Sequence, residues 1–369
     1  MIPSEKRLPF IYALVVGGLG GLVFVWLHLP LPWMLGAMVA CTATAVGGLR
    51  LHVPPKLRTW MIAILGTMLG GAFTPDVVEH VSSWWVSLAL MPVYISVAMG
   101  VTLLYFARTT KMDPVTRFCS AAPGGFMEMI LLGKSMGGDD RTIALVHAMR
   151  ILIVVLTVPM WFQFFEGYVP TGGNSMSTPL LSLTPIDGLI LAGCTVGGLV
   201  VSKYIKLPAR NLTGPLLLSA IVHITGLTSA RPPMELIALA QLIVGAGIGA
   251  RFVGVSLGDI TRMAVTGVGA TAFILAVAMG VSYGIHHVSG LPLYAVFLGM
   301  VPGGLIEMCM IALALNADVA FVSTHALARI LTVIFGAPLL FHLLYGRFIT
   351  VPNPELEQDT NTPQRSDGK

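Results

Sequence analysis

The chain has 369 residues, 55% of them hydrophobic and only 10% charged, with a mean hydropathy of +0.85. Soluble domains carry roughly 25% charged residues, so a single water-soluble core is excluded and the many apolar stretches read as bilayer spans. The formal net charge of +4 points to no nucleic-acid partner and is read as loop bias in a membrane protein.

Lys6 and Arg7 precede an apolar run from Leu8 to Leu27. It is longer than a signal-peptide core and lacks a small-residue cleavage site, so it reads as the first membrane helix. Further apolar segments lie near 31–48, 59–75, 84–107, 116–133 and 142–164. After a Ser-, Thr- and Gly-rich stretch from Thr171 to Thr184, six more lie near 186–203, 212–228, 234–250, 263–285, 292–314 and 319–345. Trp33, Trp60, Trp84 and Trp85 read as interfacial anchors. The tail from Arg347 to Lys369 is polar, contains Pro352, Pro354 and Pro363, and is expected to be disordered. Cys41, Cys119, Cys194 and Cys309 all sit in apolar stretches without ligand spacing. They are expected to be small buried apolar residues, with no disulfide, zinc site or other metal site.

That rhythm hides an internal repeat. At a constant offset of 179 (302 less 123), Pro123, Gly124, Gly125, Glu128 and Met129 match Pro302, Gly303, Gly304, Glu307 and Met308. The register continues through Asp139 and Asp318, Arg150 and Arg329, and Pro159 and Pro338. Upstream, Gly66, Gly70 and Phe73 meet Gly245, Gly249 and Phe252. Shared charged residues, in a chain so poor in charge, carry the inference. Residues 1–165 and 185–346 are therefore two membrane repeats, joined by a connector at 166–184 and followed by a tail at 347–369.

Basic residues cluster in alternate loops, and the alternation differs between the halves. Lys6, Arg7, Arg50, Lys56, Arg58, Arg108, Lys111 and Arg117 flank the even loops of the first; Lys203, Lys206, Arg210, Arg251 and Arg262 flank the odd loops of the second. Arg231 is an exception. Cytoplasmic loops are the basic ones, so the halves are expected to be inverted, which requires an odd number of crossings in each. One of the six segments per half must then fail to cross, and the Pro-Gly-Gly segment is the candidate, because Pro and paired Gly break a helix. The expected fold is all-α and polytopic: two inverted repeats of five crossings, each with one broken or re-entrant helix, and both termini cytoplasmic.

Non-helical backbone at membrane depth persists only where protein buries it or a watery cavity hydrates it. The breaks at Pro123-Gly124-Gly125 and Pro302-Gly303-Gly304 therefore imply a polar cavity in which half-helix N-termini favour anionic groups. Glu128 and Glu307 fall in the first turn after each break. Either they cap their own half-helices or they bind substrate or proton. Arg150 and Arg329 lie in long apolar helices, where an arginine costs roughly 2.5–3.5 kcal/mol on the mildest insertion scale. They either serve the cavity, by pairing with Glu128 and Glu307 or by binding an anion, or form structural ion pairs. His147 and His325 share a helix face with these arginines, as proton relay or as intrahelical hydrogen-bonded histidines. Asp139 and Asp318 read as N-terminal caps. The Gly-x-x-x-Gly pairs at Gly17, Gly66 and Gly245 read as close helix contacts or a dimer interface.

The paired segments "APGGFMEM" and "VPGGLIEM", the aspartate after each, "HAMR" and "HALAR", and the early "LPWMLGAM" resemble the bacterial membrane AbrB family, over essentially the whole chain but its tail. Members carry provisional names such as AbrB-family regulator or ammonia monooxygenase. The resemblance implies a duplicated membrane module, with fold-level likeness to cation:proton antiporters and anion transporters, whose broken helices cross. A monooxygenase would need a metal-ligand constellation, and a direct transcription factor a basic element outside the bilayer; the sequence displays neither. The expectation is thus a non-enzymatic, cofactor-free secondary transporter of a small anionic or zwitterionic solute, proton-coupled, in the bacterial inner membrane. It would be surrounded by lipid and dimeric if it follows related transporters. The alternative is a membrane-embedded regulator of gene expression that acts indirectly.

Overall fold

A computed structural model describes residues 4–75, 77, 81–165, 183–205, 207, 209–255 and 257–345. Most of the expected connector and the expected tail lie outside these residues. Fourteen α-helices are found among them. The first seven are α1 (Ser4–Trp26), α2 (Pro32–Val46), α3 (Pro55–Gly70), α4 (Trp85–Thr109), α5 (Pro114–Ala121), α6 (Phe126–Ser135) and α7 (Asp140–Phe165). Their counterparts are α8 (Pro185–Ile205), α9 (Arg210–Ile224), α10 (Met234–Gly249), α11 (Leu257–Ser289), α12 (Leu293–Met300), α13 (Leu305–Ala314) and α14 (Val319–Tyr345). The chain is a multi-pass membrane protein: seven of its helical stretches are long and apolar enough to cross a bilayer. Large side chains such as Leu19, Leu22, Phe335 and Leu343 face outward on them, as expected where lipid replaces water.

The packing partners repeat along with the sequence. α1 packs on α2 as α8 packs on α9, and α2 on α10 as α9 on α3. α7 meets α11 as α14 meets α4, while α5 and α6 lie on α7 as α12 and α13 lie on α14. Among the described residues, α3 with α10 and α4 with α11 each pair a helix with its own counterpart. The molecule thus comprises one bundle of α1–α3 with α8–α10 and another of α4–α7 with α11–α14.

Glycine brings the first bundle to backbone contact. A Cβ on Gly66 or Gly70 would strike the carbonyl oxygens of Leu212 or Leu216 in α9, and one on Gly245 would strike Met34 in α2. Gly20 and Gly36 likewise press α1 against α2. These contacts also fix direction. The His52 N–H donates to the Pro9 carbonyl (3.2 Å), so α3 starts beside the first turns of α1. The end of α10, at Gly247, lies against Arg58 near the start of α3. α3 and α10, equivalent in sequence, therefore run antiparallel.

Each Pro-Gly-Gly segment is a broken helix. Asp113 caps α5 by accepting from the Thr116 N–H (2.9 Å), with Pro114 following at the first helical position. The helix stops at Ala121, because the residue before a proline is driven to extended backbone. Ala122 has φ −58° and ψ 126°, and its counterpart Val301 has φ −58° and ψ 129°. Beyond the proline the copies differ: Gly125 is left-handed at φ 62°, whereas Gly304 is extended at φ −67°.

Three expectations are revised or explained. Trp84 is no interfacial anchor: it is 2% exposed and packs edge-on against Phe321, at 5.4 Å between ring centroids. Trp60 and Trp85 are exposed. Arg231, the exception in the charge pattern, turns inward to donate to the Gly71 carbonyl after α3 (3.2 Å), so its place reflects helix termination. All four cysteines are buried thiols.

Candidate functional site

The first break lies against the arginine that serves the second: a Cβ built on Gly124 would sit 3.7 Å from Arg329 Cγ. Arg329 is 1% exposed. Its Nη1 donates to the carbonyls of Gly299 (3.1 Å), Met300 (3.3 Å) and Val301 (2.6 Å), and its Nη2 to Gly303 (3.3 Å). Those carbonyls close α12 and lead into the break, where no helical N–H remains to bond them. One guanidinium, with five donors and a fixed charge, does at membrane depth what water does at a soluble helix end.

Arg150 uses an intermediary. Its Nη2 donates to His147 Nδ1 (2.7 Å), and His147 Nε2 lies 2.9 Å from the Cys119 carbonyl in the last turn of α5. A guanidinium can only donate and a carbonyl can only accept, so both contacts are satisfied by the neutral Nε2–H tautomer. His325 does not repeat this. Its Nδ1 bonds the Phe321 carbonyl (2.8 Å) and its Nε2 the Ser87 hydroxyl of α4 (2.7 Å).

Of the roles open to Arg150 and Arg329, pairing with Glu128 and Glu307 is not found: neither arginine makes an ion pair with either glutamate. Glu307 is 6% exposed and folds back over Gly304, bonding its own backbone N–H, in the manner of a cap. Arg58 and Arg251 lie within reach of its charge. Glu128 sits similarly against Gly125 and is half-buried. Asp139 and Asp318 are the caps the sequence suggested, accepting from the N–H groups of Arg141 (3.0 Å) and Phe321 (3.1 Å).

Sequence reasoning missed Tyr94. This fully buried residue of α4 lies within electrostatic range of both Arg150 and Arg329, and its hydroxyl has no hydrogen-bond partner. The Nε atoms of Arg150 and Arg329 and the Ser120 hydroxyl at the end of α5 are likewise buried and unpartnered. Native structures leave few such groups unmatched, and several together at paired breaks suit a polar occupant. A search by repeat could not find them: 179 residues on, Tyr94 becomes Phe273, and Ser120 becomes Gly299.

Phe126, the first residue of α6, connects this centre to another. Its ring stands edge-on to His147 (5.8 Å), and the Arg251 guanidinium lies 4.5 Å from its centroid on the opposite repeat's side.

Fold and site together define a multi-pass helical membrane protein with duplicated broken helices, each served by a buried arginine. Residues 33–345 match the family model described as "Transition state regulatory protein AbrB", and the chain belongs to that family. It is 26% identical to "Uncharacterized protein YhjN" of Bacillus subtilis (strain 168), with 94% of this chain and 95% of that protein covered. To "Putative regulator AbrB" of Escherichia coli (strain K12) it is 25% identical, with 90% and 94% covered. No solved structure matches it.

Proposed function

We propose that this chain is a secondary transporter of a small anionic or zwitterionic solute, bound where the two broken helices cross. The observation that carries the reading is a pair of buried guanidiniums, Arg150 and Arg329, with no carboxylate in ion-pair range among the described residues; each retains an unpartnered Nε–H, and the unpartnered Tyr94 hydroxyl lies within electrostatic range of both. A protein that keeps uncompensated positive charge at membrane depth needs an anion there for some part of its cycle. In this reading the Pro-Gly-Gly breaks at 123–125 and 302–304 line the binding site and Arg150 and Arg329 supply the charge, while His147 and His325 hold local backbone and Arg150. Glu128 and Glu307 cap the resuming helices and are the groups available for proton coupling. Inverted halves in the bacterial inner membrane, with both termini cytoplasmic, complete the reading; the antiparallel course of α3 and α10 supports the inversion.

The test is flux into proteoliposomes under an imposed pH gradient, over a panel of labelled short carboxylates and amino acids. Uptake of at least one class that falls at least about tenfold in Tyr94→Phe supports the site. Equal flux in Tyr94→Phe and in the Glu128→Gln, Glu307→Gln double variant removes it. A regulator without transport is the second reading, favoured by the printed name of the Escherichia coli relative. It is distinguished by altered gene expression on deletion that every site variant restores.

A further inference from the structure

A second basic centre is built from residues outside the two Pro-Gly-Gly breaks. Between the loop before α3 and the end of α10 is a cavity of about 220 Å³, lined by His52, Arg58 and Arg251 among apolar and backbone surfaces, with no acidic residue in its wall. At about 30 Å³ per water, it holds an ion of a few heavy atoms with part of its hydration. The two arginines come from α3 and from the turn after α10, so opposite repeats build it together. Gly247 makes room: a Cβ there would meet Arg58 Cδ at 3.2 Å.

The one acid within charge range of both arginines, Glu307, is buried and bonded to its own backbone, so it offsets one positive charge of two. Arg58 Nε–H is buried without a partner. Arg251 spends its flat face on Phe126, leaving its edge donors for the cavity. Lys6 adds positive potential at His52 from the start of α1. Two planar guanidiniums with spare donors and no competing carboxylate in the wall match the geometry of an oxyanion.

We propose that this pocket binds a small oxyanion, a carboxylate, phosphate or sulfate group, at a site distinct from the crossing of the broken helices. Since the Arg251 guanidinium rests on Phe126, whose ring abuts His147, occupancy bears on the hydrogen bond that holds Arg150. The site stands whether or not the transport reading does, because its readout is binding and not flux.

The experiment is calorimetric titration of the full-length protein in detergent with sodium sulfate, against sodium chloride at equal ionic strength. Sulfate keeps one charge state while histidine titrates, between about pH 5 and pH 8. The expected result is saturable sulfate binding, weakened at least about tenfold by Arg58→Gln and partly restored by Arg58→Lys, since an ammonium keeps charge but loses the two-pronged contact. Gly247→Ala, which leaves every charge in place and narrows the pocket, weakens it too, and carries the test if Arg58→Gln does not fold. Tyr94→Phe leaves it unchanged. Heat indistinguishable from chloride's, or binding lost in Tyr94→Phe but kept in Gly247→Ala, overturns the proposal.

Discussion

Arg329 Nη1 lies 2.6 Å from the carbonyl oxygen of Val301, so a side chain from α14 closes the end of α12 at the point where the chain breaks. Its repeat partner Arg150 bonds no carbonyl of its own break and is instead linked through His147 to the Cys119 carbonyl, one residue before the counterpart of Gly299. Equivalent arginines thus do unequal work, and they should respond unequally to substitution.

Arg329→Gln strips donors from four carbonyls and should cost about 3–5 kcal/mol, the range for breaking a buried charged network. Arg150→Gln removes one bond to a neutral imidazole, near 1 kcal/mol, and also relieves a buried charge. Melting in detergent should rank Arg329→Gln well below Arg150→Gln. Equal losses would mean that Arg329 does not support the break.

Tyr94→Phe should leave stability unchanged or raise it by up to about 1 kcal/mol, because the lost hydroxyl has no partner within the protein. The same change should reduce solute binding. Stability and function moving in opposite directions, read by melting and by flux, distinguish a group kept for a ligand from one kept for packing.

Asp139 caps α7, and the Thr142 hydroxyl, followed by the backbone N–H groups of Thr142 and Arg141, holds its carboxyl below the ordinary value. A depressed carboxylate stabilises above its unfolded pKa, near 4, and that contribution disappears as pH falls through the lower folded value. Asp139→Ala should cost about 1 kcal/mol at neutral pH and nothing in strong acid. Thr142→Val should move the acid transition upward, visible in helix content against pH.

Gly20→Ala should destabilise by about 1–3 kcal/mol, since the new methyl would collide with the Gly36 carbonyl across the α1–α2 contact. Gly193→Ala, in the outward part of α8 with nothing near it, should be neutral or slightly stabilising. Paired melting curves check both.

The helices, the duplication and the breaks were legible because each rests on a local rule: apolar length, a shared offset, and the conformational limits of Pro and Gly. The offset survives in the fold, with α3, α5 and α6 beginning at Pro55, Pro114 and Phe126, and α10, α12 and α13 at Met234, Leu293 and Leu305. Side-chain partners were not legible. Charge alone offers the arginines carboxylates or an anion as partners, whereas the carbonyls at the second break are the acceptors that Arg329 takes. Tyr94, Ser120, Arg58 and Arg251 have Phe273, Gly299, Ile237 and Ala72 as repeat partners, so symmetry concealed the residues that differ between the copies. Trp84 looked like a surface anchor because its burial depends on Phe321, far along the chain.

The glycine contacts of the first bundle have a mechanical consequence. Where Gly66, Gly70 and Gly245 lay one backbone on another, no rotamer can absorb a shift, so α1–α3 and α8–α10 must travel as a single block. This block meets the second bundle at the seam where α3 touches α13 and α14, and where Ala148 and Met149 of α7 join Ala246 and Phe252. Any rocking of this protein between two shapes has that seam for its bearing, and the six-helix block for its frame.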